Sequence, residues 1–284
     1  MPDYSTIGSG PKPRHRIPSG ACDSHVHVYG PAYPVAPTSP LPPPTGATAA
    51  VLKNLHRRLG VERALIVQPS AYGFDNAATL DGIRSYGPGA RGIVVVPTGV
   101  ADADLEALNG VGVRGIRFHM MPGGLLTWDE LPRMATQAAA LDWTINLQLD
   151  GRTLPDHIDR LRALPCKLVI DHVGKFLEPV GTDHPGFRLL LDLLDGGRCW
   201  VKLSAPYETS RTGPPSYDDV AVLGRALAAH APQRMLWASN FPHPGAQANR
   251  PEDAGLMDAV LDWFDGDATR QLALVDNPAE LYGF

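Results

Sequence analysis

Trp143-Thr144-Ile145-Asn146-Leu147-Gln148, a helical pattern over 154–164, and then Lys167-Leu168-Val169-Ile170-Asp171 follow one another with little slack. Runs that are apolar at nearly every position suit strands buried on both faces, and the helix-length segment between them is what a parallel crossover needs. The unit recurs in both directions. Toward the N-terminus, apolar runs at 63–68, 91–96 and 113–118 alternate with helical patterns at 47–59, 76–86, 102–108 and 128–141. Toward the C-terminus, runs at 199–203 and 235–238 alternate with patterns at 187–194, 217–230 and 252–264. With a first strand in the stretch Cys22–Gly30, the chain holds eight strands and eight helices. That count predicts closure into a single α/β domain, a (β/α)8 TIM-type barrel. An open doubly wound sheet is the competing arrangement, but no Gly-rich dinucleotide fingerprint follows the first strand.

Residues 1–20 mix Pro, Gly, Ser and basic side chains without periodicity and read as an irregular arm ahead of a barrel over 21–284. From Pro31 to Thr45 the density of proline forbids a helix interior or central strand and implies a stiff loop, suited to form a pocket wall. A net charge of -5 with charged residues at 19% provides no basic stripe, so neither nucleic acid nor a membrane surface is indicated as a partner. Three scattered cysteines without CxxC spacing argue for a reducing compartment. No apolar stretch reaches the roughly 18 residues of a membrane span, and the expected location is the cytoplasm.

In barrels of this kind the chemistry gathers at the C-terminal ends of the strands. Within Cys22-Asp23-Ser24-His25-Val26-His27-Val28-Tyr29-Gly30, His25 and His27 are two apart and share one face. Two converging imidazoles suit a divalent metal, a carbonyl or carboxylate of a substrate, or proton transfer near neutral pH; a polar pair on a half-exposed strand is the plain alternative. Later strand ends add Gln68, Ser70 and Tyr72, then Arg117 and His119, then Gln148 and Asp150. They continue with Asp171, His172 and Lys175, with Lys202, Ser204, Tyr207 and Glu208, and with Ser239, Asn240 and His243. His56, His157 and His230 fall in helical patterns on the outside, His15 in the arm and His184 in a loop or cap, and all five read as solvated.

Asp23-Ser24-His25-Val26-His27, Asp171-His172-Val173-Gly174-Lys175 and Ser239-Asn240-Phe241-Pro242-His243 together resemble the amidohydrolase superfamily. The resemblance is to the amidohydrolase-related group of 2-pyrone-4,6-dicarboxylate lactonases and D-galactarolactone isomerases, over nearly the whole chain, and is nearest on the isomerase side. It implies lactone chemistry. Metal-dependent members of the superfamily are expected to carry a histidine after the fifth strand and an aspartate after the eighth, where this chain has Gln148 with Asp150, and Asn240. A neutral amide takes no proton from water and is a poor metal ligand. No cofactor is therefore expected; zinc, on His25, His27 and His172, is the second choice.

The resulting expectation is metal-independent isomerisation of a small sugar-acid lactone, in which a substrate hydroxyl attacks the lactone carbonyl. His172 or His27 would move the proton, His25 would polarise the carbonyl and Asn240 would orient the substrate. Arg117 or Lys175 would hold a carboxylate, although Arg117 reads equally as a buried, internally paired arginine. Gln148, Tyr207, Ser70 and Asn76 are candidate readers of hydroxyls, and His119 and His243 share the rim without an assigned partner. A lactonase attacking with water, with or without zinc, and a catalytically dead sugar-acid binder are the alternatives.

Overall fold

The computed structural model describes residues 4–284. Eight parallel strands follow one another in chain order: β1 (Cys22–Val26), β2 (Arg63–Val67), β3 (Ala90–Val94), β4 (Val113–His119), β5 (Thr144–Gln148), β6 (Lys167–Ile170), β7 (Cys199–Leu203) and β8 (Met235–Trp237). Beyond β8 the chain turns back onto β1. His27 N–H donates to Phe241 O at 2.8 Å, Asn240 N–H to His25 O at 3.0 Å, and Ser239 N–H to Asp23 Oδ1 at 2.9 Å. These bonds complete the barrel, and the same three set Asn240 beside His25 of β1 and His27 just beyond it.

Outside lie α1 (Ala49–Leu59), α2 (Ala77–Tyr86), α3 (Asp102–Gly110), α4 (Leu131–Ala140), α5 (Leu154–Arg162), α6 (Pro185–Asp195), α7 (Asp218–His230) and α8 (Asp253–Leu261). Their ends follow local chemistry. Thr48 caps α1 by accepting from Val51 N–H, and Gly60 ends it in the left-handed region that a side chain disfavours. His184 caps α6 ahead of Pro185.

Two short helices, α9 (Asp267–Gln271) and α10 (Asn277–Tyr282), joined by a π-turn, extend the chain past the last helical pattern read from the sequence. They close the floor of the barrel. Leu281 and Tyr282 pack on Leu65, Val67, Ile93, Val169, Trp200 and Leu236. The guanidinium carbons of Arg63 and Arg91 lie 5.5 and 4.8 Å from the centre of the Phe284 ring. At the other end the arm packs from Tyr4 onward: Tyr4 and Ile7 are buried, and the Tyr4 ring meets Phe241 edge-on at 6.0 Å. Met1 to Asp3 of the arm lie outside the described residues. Among the described residues no helix is long and apolar enough to cross a membrane.

The strand spacing also dictates where side chains cannot go. A Cβ on Gly115 of β4 would lie 2.6 Å from Thr144 O on β5 and 2.8 Å from Ile93 Cδ1 on β3, and backbone cannot yield as a side chain can. Gly115→Ala is expected to lower unfolding stability by roughly 1–3 kcal/mol in urea titration; an unchanged midpoint would contradict this account of the packing.

Candidate active site

The floor of the site is a sealed ionic cluster. Lys202 Nζ on β7 lies 3.0 Å from Asp171 Oδ1 and 3.0 Å from His25 Nδ1, and donates to Asn146 Oδ1 at 2.9 Å. Burial alone would raise the Asp171 pKa, but Lys202 and His25 outweigh it and hold the carboxyl well below its usual range. The pair is therefore ionised. Since the ammonium donates to His25 Nδ1, the proton of that ring is on Nε2, which faces His27 Nε2 at 3.3 Å. His27 in turn directs Nδ1–H to Val67 O at 2.7 Å.

Above this floor opens a cavity of about 290 Å³, one wall of which is Ser39 to Pro44 of the proline-rich loop. His27, Ser70, Arg117, His119, Gln148, His172, Lys175, Glu208 and Asn240 line it. His172 stands at the start of four successive positive-φ residues, His172 to Lys175, a sparsely populated conformation that turns both His172 and Lys175 to the cavity. Its Nδ1 pairs with Ser204 Oγ at 2.8 Å, and its Nε2 has no protein partner among the described residues. Its ring centre is 4.8 Å from that of His25. All these imidazoles are held neutral. Burial, followed by the Lys202 charge, pushes His25 down to about 4; burial and then Arg117 push His119 down to about 3. Burial, with His25 next, takes His27 and His172 well below 6.5.

Arg117 is 5% exposed and, among the described residues, has no carboxylate in ion-pair contact. It donates to Gln68 O at 2.8 Å and Gln148 Oε1 at 3.0 Å, and its Nε is buried without a partner. Burial lowers the Arg117 pKa, opposed by the charges of Asp171 and Glu208 at longer range. Lys175, by contrast, has its ammonium paired with Glu208 Oε2. Glu208 Oε1 accepts from Asn240 Nδ2 at 3.2 Å, and that amide also reaches Tyr207 OH at 2.9 Å.

Several expectations change. His25 is fully buried beneath the cavity with both ring nitrogens engaged, so it does not reach a substrate carbonyl. Asn76 is not a hydroxyl reader: its amide clamps Val95 N–H and C=O at 3.0 and 2.8 Å. His243 is fully buried, between Tyr207 OH and Asp253, rather than at the cavity surface. Lys202 is inside the strand layer and not on the rim, and Asp150 pairs with Arg152 away from the cavity. His56 is not solvated but buried between Asp23 Oδ2 and Tyr86 OH. Glu208, which the sequence left without a role, lines the cavity and is held by Lys175 and Asn240. The spacing that would admit a metal belongs to His25, Asp171 and His172, whose ligand atoms lie within 4.8 Å of one another; His27 is not among them.

Residues 22–284 match the family described as amidohydrolase. The chain belongs to the amidohydrolase family. This amidohydrolase is 38% identical to D-galactarolactone isomerase of Agrobacterium fabrum, over 96% of the chain and 94% of the relative. It is 35% identical to 2-pyrone-4,6-dicarboxylate hydrolase of Comamonas testosteroni, over 95% and 92%. A crystal structure of an Agrobacterium tumefaciens protein in its apo form superposes with a TM-score of 0.93 at 38% identity, covering 98% of both chains.

Depressed histidine pKa values carry a signed consequence for the stability of this amidohydrolase. Below pH 6.5 the unfolded chain takes up protons that the folded chain refuses, so stability is complete above 6.5 and falls as pH drops toward the folded values, about 4 for His25. Urea midpoints measured as a function of pH are expected to be level above 6.5 and to decline below it. A midpoint that stays level through that window would show that the buried imidazoles titrate normally.

Proposed function

We propose that this enzyme interconverts two lactones of an anionic sugar acid by acyl transfer within the substrate, without a metal ion. The reading rests on one observation: among the described residues the only carboxylate lining the cavity, Glu208, is bound by Lys175 and Asn240, and the end of β8 supplies an amide. Among the described residues of the lining there is no free carboxylate base for water. A hydroxyl of the substrate needs less help, since a well-oriented intramolecular attack can supply roughly 7–11 kcal/mol of the barrier.

In this mechanism the Arg117 guanidinium, steadied by Gln148, receives the substrate carboxylate. His119, kept neutral beside it, lets that positive charge act on the anion alone. The attacking hydroxyl gives its proton to His172 Nε2 as its oxygen bonds to the lactone carbonyl carbon. His172 then returns the proton to the ring oxygen as that bond breaks, and a six-membered lactone becomes a five-membered one. Lys175 favours the negative charge that appears on the carbonyl oxygen between the two steps. Of the two relatives, one is named an isomerase of D-galactarolactone and the other a hydrolase of a 2-pyrone dicarboxylate.

His25, Asp171 and His172 do not suit a resident dication. Lys202 already contacts two of the three with its ammonium, and a metal there would face that charge at close range. Proton NMR of a six-membered sugar-acid lactone incubated with the enzyme is expected to show the five-membered isomer at a rate unchanged by a chelator. Stoichiometric acid release, or activity lost to chelation and restored by zinc, would overturn the proposal. Asn240→Asp is expected to bring in net hydrolysis by restoring a carboxylate base. Arg117→Lys, which loses the bidentate fork, is expected to raise KM roughly tenfold for anionic lactones, and an unchanged KM would remove Arg117 from substrate binding.

A further inference from the structure

The Asn240 side chain meets acceptors on one side only, and this fixes which way it points. Its amide nitrogen is 2.9 Å from Tyr207 OH and 3.2 Å from Glu208 Oε1. A carboxylate oxygen only accepts, so an inverted amide would set two oxygens against each other. Tyr207 is committed by what stands behind it. Its hydroxyl is 2.9 Å from His243 Nδ1, and His243 Nε2 is 2.9 Å from Asp253 Oδ1, with His243 and Asp253 both buried. Burial opposes ionisation of Asp253, but its hydrogen bond from His243 prevails and lowers its pKa. An ionised Asp253 accepts from Nε2–H; Nδ1 is then a lone pair, and the Tyr207 hydroxyl donates to it. The Tyr207 oxygen is left to accept from Asn240. The backbone around Asn240 is held as well, by Asn240 N–H to His25 O at 3.0 Å and His243 N–H to Asn240 O at 2.7 Å.

We infer that Asp253, His243 and Tyr207 form a positioning relay that presents the Asn240 carbonyl oxygen, which has no protein partner among the described residues, to the cavity as a hydrogen-bond acceptor. The inference rests on the lactone reading and narrows it: the site takes lactones that still carry a free chain hydroxyl, whose O–H this oxygen aligns toward the ring carbonyl. A carbonyl oxygen orients that hydroxyl but does not keep its proton, which leaves proton transfer to His172. Tyr207, His243 and Asp253 act through Asn240 and touch no substrate.

Nitrogen-15 NMR of the histidine-labelled protein tests the relay without substrate. His243 is expected to show a protonated Nε2 and an unprotonated, hydrogen-bonded Nδ1. In Tyr207→Phe, which removes a single oxygen, Nδ1 is expected to remain unprotonated and to lose its hydrogen-bond shift. The same variant is expected to lose roughly tenfold in kcat on a hydroxylated lactone while KM stays within about twofold and the melting temperature is nearly unchanged. A protonated Nδ1 in the parent protein overturns the relay, as does a Tyr207→Phe enzyme of full kcat. Absence of lactone turnover in the parent would count against the lactone reading, whereas the NMR result bears on the relay alone.

Discussion

Lys202 and Asp171 place an ammonium and a carboxylate 3.0 Å apart, both fully buried, in the middle of the barrel. Desolvating two ions costs several kcal/mol each, and removing one partner of such a pair typically costs about 3–5 kcal/mol, so neither charge is dispensable once the other is present. The pair also governs its neighbours. The ammonium makes His25 Nδ1 an acceptor, and that choice propagates through His25 Nε2 to His27 and on to Val67 O. Its positive charge adds to burial in keeping His25 neutral.

At the mouth Glu208 is paired with Lys175, and elsewhere the buried Asp253 and Asp23 are hydrogen-bonded by His243 and His56. What remains without a partner among the described residues is Arg117 Nε and His172 Nε2, the latter on a ring that burial keeps neutral. On the proposed reading, with no spare carboxylate among the described residues of the lining, the site favours chemistry inside a bound acid over chemistry with water. The strained left-handed run from His172 to Lys175 and the left-handed Asn240 and His243 are where the chain departs from ordinary backbone to assemble this arrangement.

The barrel was legible because each strand is a local pattern: the run at 199–203 coincides with β7, and 113–118 lies within β4. The short C-terminal helices were not, since Asp267–Gln271 and Asn277–Tyr282 are too brief to show a period and are held by burial of Leu281 and Tyr282 against the barrel floor. That His27, Arg117 and His172 would face one cavity was readable from their places at strand ends. Depth and pairing were not readable. The same address put His25 at the cavity surface, when the structure seals it below; it put His56 in solvent, when Asp23 draws it inward. Asn76 looked like a hydroxyl reader because an amide next to a strand end has the same appearance whether it faces a ligand or clamps Val95. A charged Lys202 inside an apolar strand was the available sign of the buried cluster, because lysine is almost never fully buried unless paired.

The central claim is that the acyl group passes between two oxygens of one substrate and never to solvent. Running the lactone reaction in oxygen-18 water and weighing the product by mass spectrometry tests it directly. The account predicts an isomeric lactone free of label; label in the product, one atom for each turnover, would contradict it.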